Sequence, residues 1–511
     1  MELALTRPEG RRKGEFSFLA KVVAAILLVT AADWLFFFQR IGTTAGAYAG
    51  VILLVLLLIR PRLGKGPALA ALAAASLYAL ALADSPGWLA AGLFWSAASL
   101  AVLLPRSRFD DGWRWAKRLL VHWLLLPMGP VEDAGGVRAA RRRHGRVHVL
   151  DRLRHLWLPL IGSTIFLGLF AAANPLIEEV LSGVDLAAAV TGLSFARIAF
   201  WIVAAMLAWS LVRPRLARLA PRIAGEPLAL PGFGSASITL SLIAFNLIFA
   251  LENGLDLAFL WSGAQLPGGM NYAEYAHRGA YPLIATALLA GLFVLVALRP
   301  GSPLAQSATI RRLVYLWIAQ NILLVASTIL RTANYVEAYS LTELRIAALL
   351  WMGLVAVGLA LICLRIWLRR SGAWLINANC GALALLLSGC AFVDLGSVAA
   401  RWNVGHAREV GGPGVPLDLC YLNRLGPSAL VALADLEARP LPPAFRDRVA
   451  WTRNLALDRL ETEQADWRGW TWRNARRLDA ARTRMAAHRL PRFHANVRAC
   501  DGNALTARNP R

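Results

Sequence analysis

About eleven apolar segments, the first starting near Phe18 and the last ending near Ala391, follow one another along this chain. A helix needs roughly 20 mostly apolar residues to cross a bilayer. The segments read as 18–38, 42–59, 67–84, 87–104, 156–173, 193–212, 236–262, 280–298, 312–330, 345–367 and 374–392. Such a run predicts an all-α fold, a polytopic transmembrane helix bundle of about 11 spans. After it, Gly411-Gly412-Pro413-Gly414 marks a loop, and helical patterns follow near 427–438, 443–463 and 466–488. Trp451, Trp467, Trp470 and Trp472 give this polar end material for a core. A small helical extramembrane C-terminal domain is expected there.

Four regions result: a four-span part at 1–104, a basic connection at 105–155, a seven-span membrane core at 156–392 and the helical tail at 393–511. Within the connection, Trp113, Trp115, Leu119, Leu120, Trp123 and Leu124 recur at helical spacing beside Arg114, Lys117, Arg118 and His122. That pattern suits a helix lying in the membrane interface. The basic run from Arg138 to Arg154 could contact anionic lipid or serve only to fix topology.

The 511 residues carry a formal charge of +23. Most of the excess sits in alternate short connections, which include Arg60, Arg106, Arg114, Arg213, Arg311 and Arg369. The opposite loops, such as Asp84-Ser85-Pro86, are poor in Lys and Arg. The positive-inside rule then puts the N-terminus in the cytoplasm and the C-terminus outside. No motif that reads nucleic acid accompanies the charge, so the bilayer is the expected partner and nucleic acid is not. The first residues show no apolar stretch with a small-residue cleavage site, so the first span is expected to direct insertion itself.

Candidate chemistry concentrates toward the outer side. Asn246, Glu252, Asn253 and Asp256 project into one arc of about 120° on the seventh segment, and a polar stripe cannot face lipid. The following connection holds Tyr272, Glu274, Tyr275, His277 and Arg278. A Glu, a His and two Tyr so close suit acid–base work, and they equally suit an interfacial helix start with a Glu274–Arg278 pair. Arg331, Asn334, Tyr335, Glu337 and Tyr339 follow the ninth segment. Ser340-Leu341-Thr342-Glu343 resembles a capping box opening the tenth. Arg197 either snorkels outward or pairs with Glu252 or Asp256. These groups are expected around one outward-opening cavity, with Arg197 or Arg278 as the positive partner.

Of five cysteines, Cys363, Cys380 and Cys390 read as small core residues, whereas Cys420 and Cys500 in the tail are candidates for a disulfide. Neither a metal site nor a cofactor is expected. Gly-x-Ser-x-Gly, His-Glu-x-x-His and phosphate-loop motifs are all absent.

The stretch Tyr272-Ala273-Glu274-Tyr275-Ala276-His277-Arg278-Gly279, with Asn253-Gly254-Leu255-Asp256 before it and Arg401-Trp402-Asn403-Val404 after the last span, resembles a bacterial family of polytopic membrane proteins. That family is a domain of unknown function, number four-one-seven-three, and the likeness covers roughly residues 160–440. It implies a multi-span fold and an inner-membrane location, and no reaction. Three functions compete. The first is a ligand-binding or transport-type protein with an outward-facing polar cavity for a small ligand. The second is a membrane-embedded enzyme acting on a lipid or envelope precursor at the outer leaflet. The third is an envelope sensor or scaffold.

Overall fold

The computed structural model describes residues 18–60, 63, 66–106, 109–130, 132–133, 194–215, 235–262, 307–493 and 496–504. Every regular element among them is helical. In order they are α1 (Phe18–Phe36), α2 (Thr44–Ile59), α3 (Pro67–Asp84), α4 (Trp88–Leu103), α5 (Gly112–Leu124), α6 (Phe195–Val212) and α7 (Ser235–Leu255). A π-helical turn, Asp256–Trp261, extends α7. There follow α8 (Ala308–Tyr339), α9 (Glu343–Trp367), α10 (Gly372–Phe392), α11 (Leu395–His406), α12 (Leu419–Leu425), α13 (Leu430–Glu437), α14 (Pro443–Ala465) and α15 (Trp472–Ala487).

Seven of the described helices are long and apolar enough to cross a membrane: α1, α3, α6, α7 with its π turn, α8, α9 and α10. The apolar helices α2 and α4 have 16 residues each. The chain is a multi-pass membrane protein. Its outer surface agrees, because Leu240, Leu247 and Leu251 on one side of α7 are each about two-thirds exposed. Water would penalise such a stripe and lipid would not. The expected spans 156–173 and 280–298 lie outside the described residues.

Helix directions alternate. Phe18 packs on Trp209 and Asp33 bonds to Arg197, so α1 and α6 are antiparallel. Thr43, at the start of α2, bonds to Ala83 at the end of α3. Gly46 fits here because a β-carbon would collide with Ala79 and Ala83. Helix α5 and the ends of α2 and α6 gather at one end of the bundle, where Arg60 donates to the Val212 carbonyl at 3.0 Å. The peptide N–H of Gly112 donates to Asn377 Oδ1 near the start of α10 at 2.6 Å. The face of α5 toward the protein carries Trp115, Arg118 and His122, all buried, while Trp113, Leu120, Trp123 and Leu124 point outward. Its charged residues therefore do not all face away from the core. Asp110 holds Arg114 and Arg118.

The C-terminal helices sit at the opposite end. Leu419, Leu422, Leu433, Leu436 and Val449 form one core with Ala400 and Val404 of α11. Their contacts reach several membrane hairpins. The Trp470 carbonyl accepts from the Thr43 N–H at 2.7 Å. Gly42 lies so close to the backbone of 468–470 that a β-carbon would overlap it. Asp84 pairs with Arg473 at 2.8 Å and Arg476 at 2.6 Å. On the other flank, Asn403 exchanges two hydrogen bonds with Leu341 (2.7 and 2.9 Å). The Tyr421 hydroxyl accepts from the Glu343 N–H at 3.0 Å.

Two local expectations are corrected. The ninth segment does not stop at 330. Helix α8 runs 32 residues to Tyr339, about 48 Å at 1.5 Å per residue. Polar side chains after Leu330 lower the hydropathy, but no Gly or Pro interrupts the helix. The cap of α9 is Thr342, whose hydroxyl accepts from the Arg345 N–H, rather than Ser340. Ser340 instead takes a left-handed φ of 69° and turns the chain between α8 and α9.

Candidate functional site

Helices α7 and α8 pack side by side and run parallel, because their contacts advance together. Asn246 Nδ2 donates to the carbonyls of Leu242 (2.7 Å) and Leu313 (3.1 Å). One heptad on, Asn253 Nδ2 donates to the carbonyls of Phe249 (2.8 Å) and Gln320 (3.3 Å). The offset is 67 residues in both rungs. Each Asn thus uses both amide hydrogens, one on its own helix and one on α8, which fixes the orientation of its amide. Gln320 Nε2 reaches back to Asn246 Oδ1 at 2.7 Å and completes the first rung. Phe245 and Phe249 pack on Trp317 beside this polar line.

Beyond the second rung the helix widens. Residues 256–261 form the π turn, and Trp261 Nε1 donates to Ser327 Oγ at 3.1 Å, an offset of 66. A π turn adds one residue to its helix turn, and such turns recur at functional sites. At this level Arg331 pairs with Asp256, with side-chain exposures of 6% and 3%. Glu252 lies 3.5 Å from the same guanidinium and is far more open. Ser327, Thr328 and Thr332 continue the buried polar surface of α8. A carboxylate–guanidinium pair this deep in a membrane helix pair is costly to leave unpaired, and such residues mark ligand and ion pathways.

Not every expected member joins this seam. Arg197 pairs with Asp33 across α1 and α6, through Nη2 at 2.6 Å and Nε at 3.0 Å, and lies over the Phe37 and Trp201 rings. It is neither free to snorkel nor a partner of Glu252 or Asp256. Asp33, an acid inside the first span, holds it at the wall between α1 and α6. Tyr272, Glu274, Tyr275, His277 and Arg278 lie outside the described residues. Asn334 is half-buried and Glu337 exposed, two turns or less past Arg331 on α8. Gln320, Ser327, Trp261 and Arg331 are functional candidates that sequence reasoning left out of the stripe. For Gln320 and Ser327 the signal was the same seven-residue spacing that separates Asn246 and Asn253; Trp261 and Arg331 carried none.

The tail carries a second buried pair. Arg453 is fully buried and bidentate on Glu437 (2.6 and 3.1 Å), with a further bond to the Pro491 carbonyl at 2.7 Å. All its partners are internal, which fits a structural role. Cys420 and Cys500 are joined as a disulfide with Cα atoms 4.8 Å apart. Cys363, Cys380 and Cys390 are free and partly buried. Among the described residues no three His, Cys, Asp or Glu side chains gather as a metal site would require.

No curated protein and no solved structure matches the chain. A family model does, over residues 68–436: Domain of unknown function (DUF4153). The number four-one-seven-three suggested by the sequence motifs is therefore corrected to 4153, while the kind of family stands. Because the match takes in most of the chain, including α7, α8 and the first tail helices, this multi-pass membrane protein belongs to the DUF4153 family.

Proposed function

We propose that this is a bacterial inner-membrane protein that binds or transports a small ligand through a polar site opening to the outer side. The observation that carries the reading is the Asp256–Arg331 pair with Glu252 at its open edge, set where α7 widens into a π turn. Asp256 and Arg331 lie toward the ends of their helices nearest the tail. The basic connections collect at the α5 end, so the positive-inside rule supports a cytoplasmic N-terminus and an extracytoplasmic tail. The directions of the helices support eleven crossings. Antiparallel α1 and α6, and parallel α7 and α8, agree with the alternation that eleven crossings require.

The test uses Glu252→Cys in a protein whose Cys363, Cys380 and Cys390 are replaced by Ser. A membrane-impermeant maleimide added to intact spheroplasts should label it, and should not label Leu247→Cys or Leu251→Cys on the lipid face. Failure of Glu252→Cys to react while the protein remains folded would refute an outward-opening site. A sensor reading has one observation in its favour: the tail grips both the α1–α2 turn and the α8–α9 turn, so a ligand on the tail could act on the seam.

A further inference from the structure

The rungs between α7 and α8 repeat, and the repeat breaks in an informative way. In the first rung, Asn246 gives both hydrogens to carbonyls and its oxygen accepts from Gln320, 74 residues on. In the second, Asn253 also gives both hydrogens to carbonyls. Its oxygen should accept from the residue 74 positions on, which is Ser327. Serine is too short to imitate glutamine, and the Ser327 hydroxyl instead accepts from Trp261 Nε1. Asn253 Oδ1 therefore has no donor among the described residues, although Asn253 is only 4% exposed. The oxygens of Gln320 and of the adjoining Asn321 (1% exposed) are likewise buried without a donor.

At the Asn253 rung the amide oxygen of Asn253 is thus a buried acceptor that no donor among the described residues meets, between two packed membrane helices. A buried acceptor left without a partner is costly. Amide and carbonyl oxygens in such places replace the hydration shell of a cation, often beside interrupted helices. Glu252 and Asp256, both carboxylates, lie within one turn of Asn253 on the same helix.

We propose that the Asn253 rung binds a small positively charged group, either an alkali cation or the ammonium group of a ligand, in the position that the Gln320 amide nitrogen occupies one heptad earlier. This deepens the reading of the α7–α8 seam as a ligand site and rests on it. The site is selective by size, since it lies between two packed helices where Ser327 stands in place of a longer side chain.

The test is thermal unfolding of the purified full-length protein in chloride salts of sodium, potassium, ammonium, methylammonium and N-methylglucamine at equal ionic strength. At least one small cation should raise the midpoint by a few degrees over N-methylglucamine, with saturation as linkage requires. Ser327→Gln supplies the amide from the protein, and should raise the midpoint in N-methylglucamine and remove the cation increment. Asn253→Leu should remove the increment without that gain. Equal midpoints in all salts for the wild type would mean that water alone satisfies the rung, and would overturn the proposal. An increment unchanged in Asn253→Leu would place the cation elsewhere and overturn it too. Labelling at Glu252→Cys is independent of these salts, so the ligand-site reading and the cation rung fail separately.

Discussion

Replacing Arg331 by methionine separates a paired site from a merely polar one. Arg331 and Asp256 are both almost fully buried, and removing one partner of such a pair costs about 3–5 kcal/mol because the other loses a buried charge-assisted contact. Asp256→Asn should cost less, about 1–2 kcal/mol, since the guanidinium keeps Glu252 at 3.5 Å and loses one charge-assisted hydrogen bond. The order matters more than the values: Arg331→Met should be the worse of the two by about fivefold or more in the folded-to-unfolded ratio. The double variant Asp256→Leu with Arg331→Met should recover most of the loss, since apolar replacement of a whole buried pair is commonly neutral or better. A double-mutant cycle of Arg331→Met, Asp256→Leu and their double variant, read by reversible detergent unfolding, measures the coupling, with heated size-exclusion profiles as a check on folding. Additive effects of the two single changes, with no recovery in the double variant, would refute the pairing argument.

Other perturbations act on the tail. Cys420→Ser or Cys500→Ser opens a loop with a sequence separation of 80, worth about 4.5 kcal/mol by chain entropy, and should make the tail sensitive to protease where the oxidised wild type resists. Gly42→Leu should detach the 468–470 loop from the α1–α2 turn, seen as faster proteolysis of the tail with the membrane helices unchanged. Tyr421→Phe removes the acceptor of the Glu343 N–H and should cost about 1 kcal/mol. Burial raises the Tyr421 hydroxyl above its ordinary value of 10.0, so the folded form keeps its proton longer than the unfolded form does. Its contribution should be complete below about pH 10 and decline as the pH rises further, a loss absent from Tyr421→Phe. Reporter fusions after Arg7 and after the tail should report cytoplasm and exterior respectively, and a cytoplasmic tail would end the eleven-crossing account.

Much of the frame was legible because bilayer thickness imposes a length on every helix. Nine of the eleven expected segments coincide with described helices, and three tail helices begin within a few residues of their expected places. The stripe of Asn246, Glu252, Asn253 and Asp256 does face another helix, as a polar face in lipid must. Its partner was not legible from hydropathy. Arg331 was read as lying outside the membrane because its neighbours Thr332, Asn334 and Glu337 are polar, yet hydropathy measures transfer and does not report where a helix ends. Arg197 does neither of the two things the sequence leaves open, snorkelling or pairing with Glu252 or Asp256, for a related reason. Asp33 sits 164 residues earlier, and pairing across that distance depends on which helices adjoin. The π turn left no trace in composition, since inserting one residue into a helix changes register and not hydropathy.

The contacts between the tail and the membrane helices also order the events of assembly. Synthesis delivers α1 to α10 before any of α11 to α15, and Cys500 comes after them all. Thr43, Asp84 and Leu341, the groups that receive the tail, must therefore wait at the membrane surface while the rest of the chain is made. Docking can follow only when α1–α2, α3–α4 and α8–α9 have come together with the right spacing, because Trp470, Arg473 and Asn403 belong to one compact piece. The bond between Cys420 and Cys500 then closes a structure that already depends on distant hairpins. The tail thereby reads the completeness of the bundle: a helix inserted out of order would leave it without a seat, and so open to the proteases that remove unfinished membrane proteins.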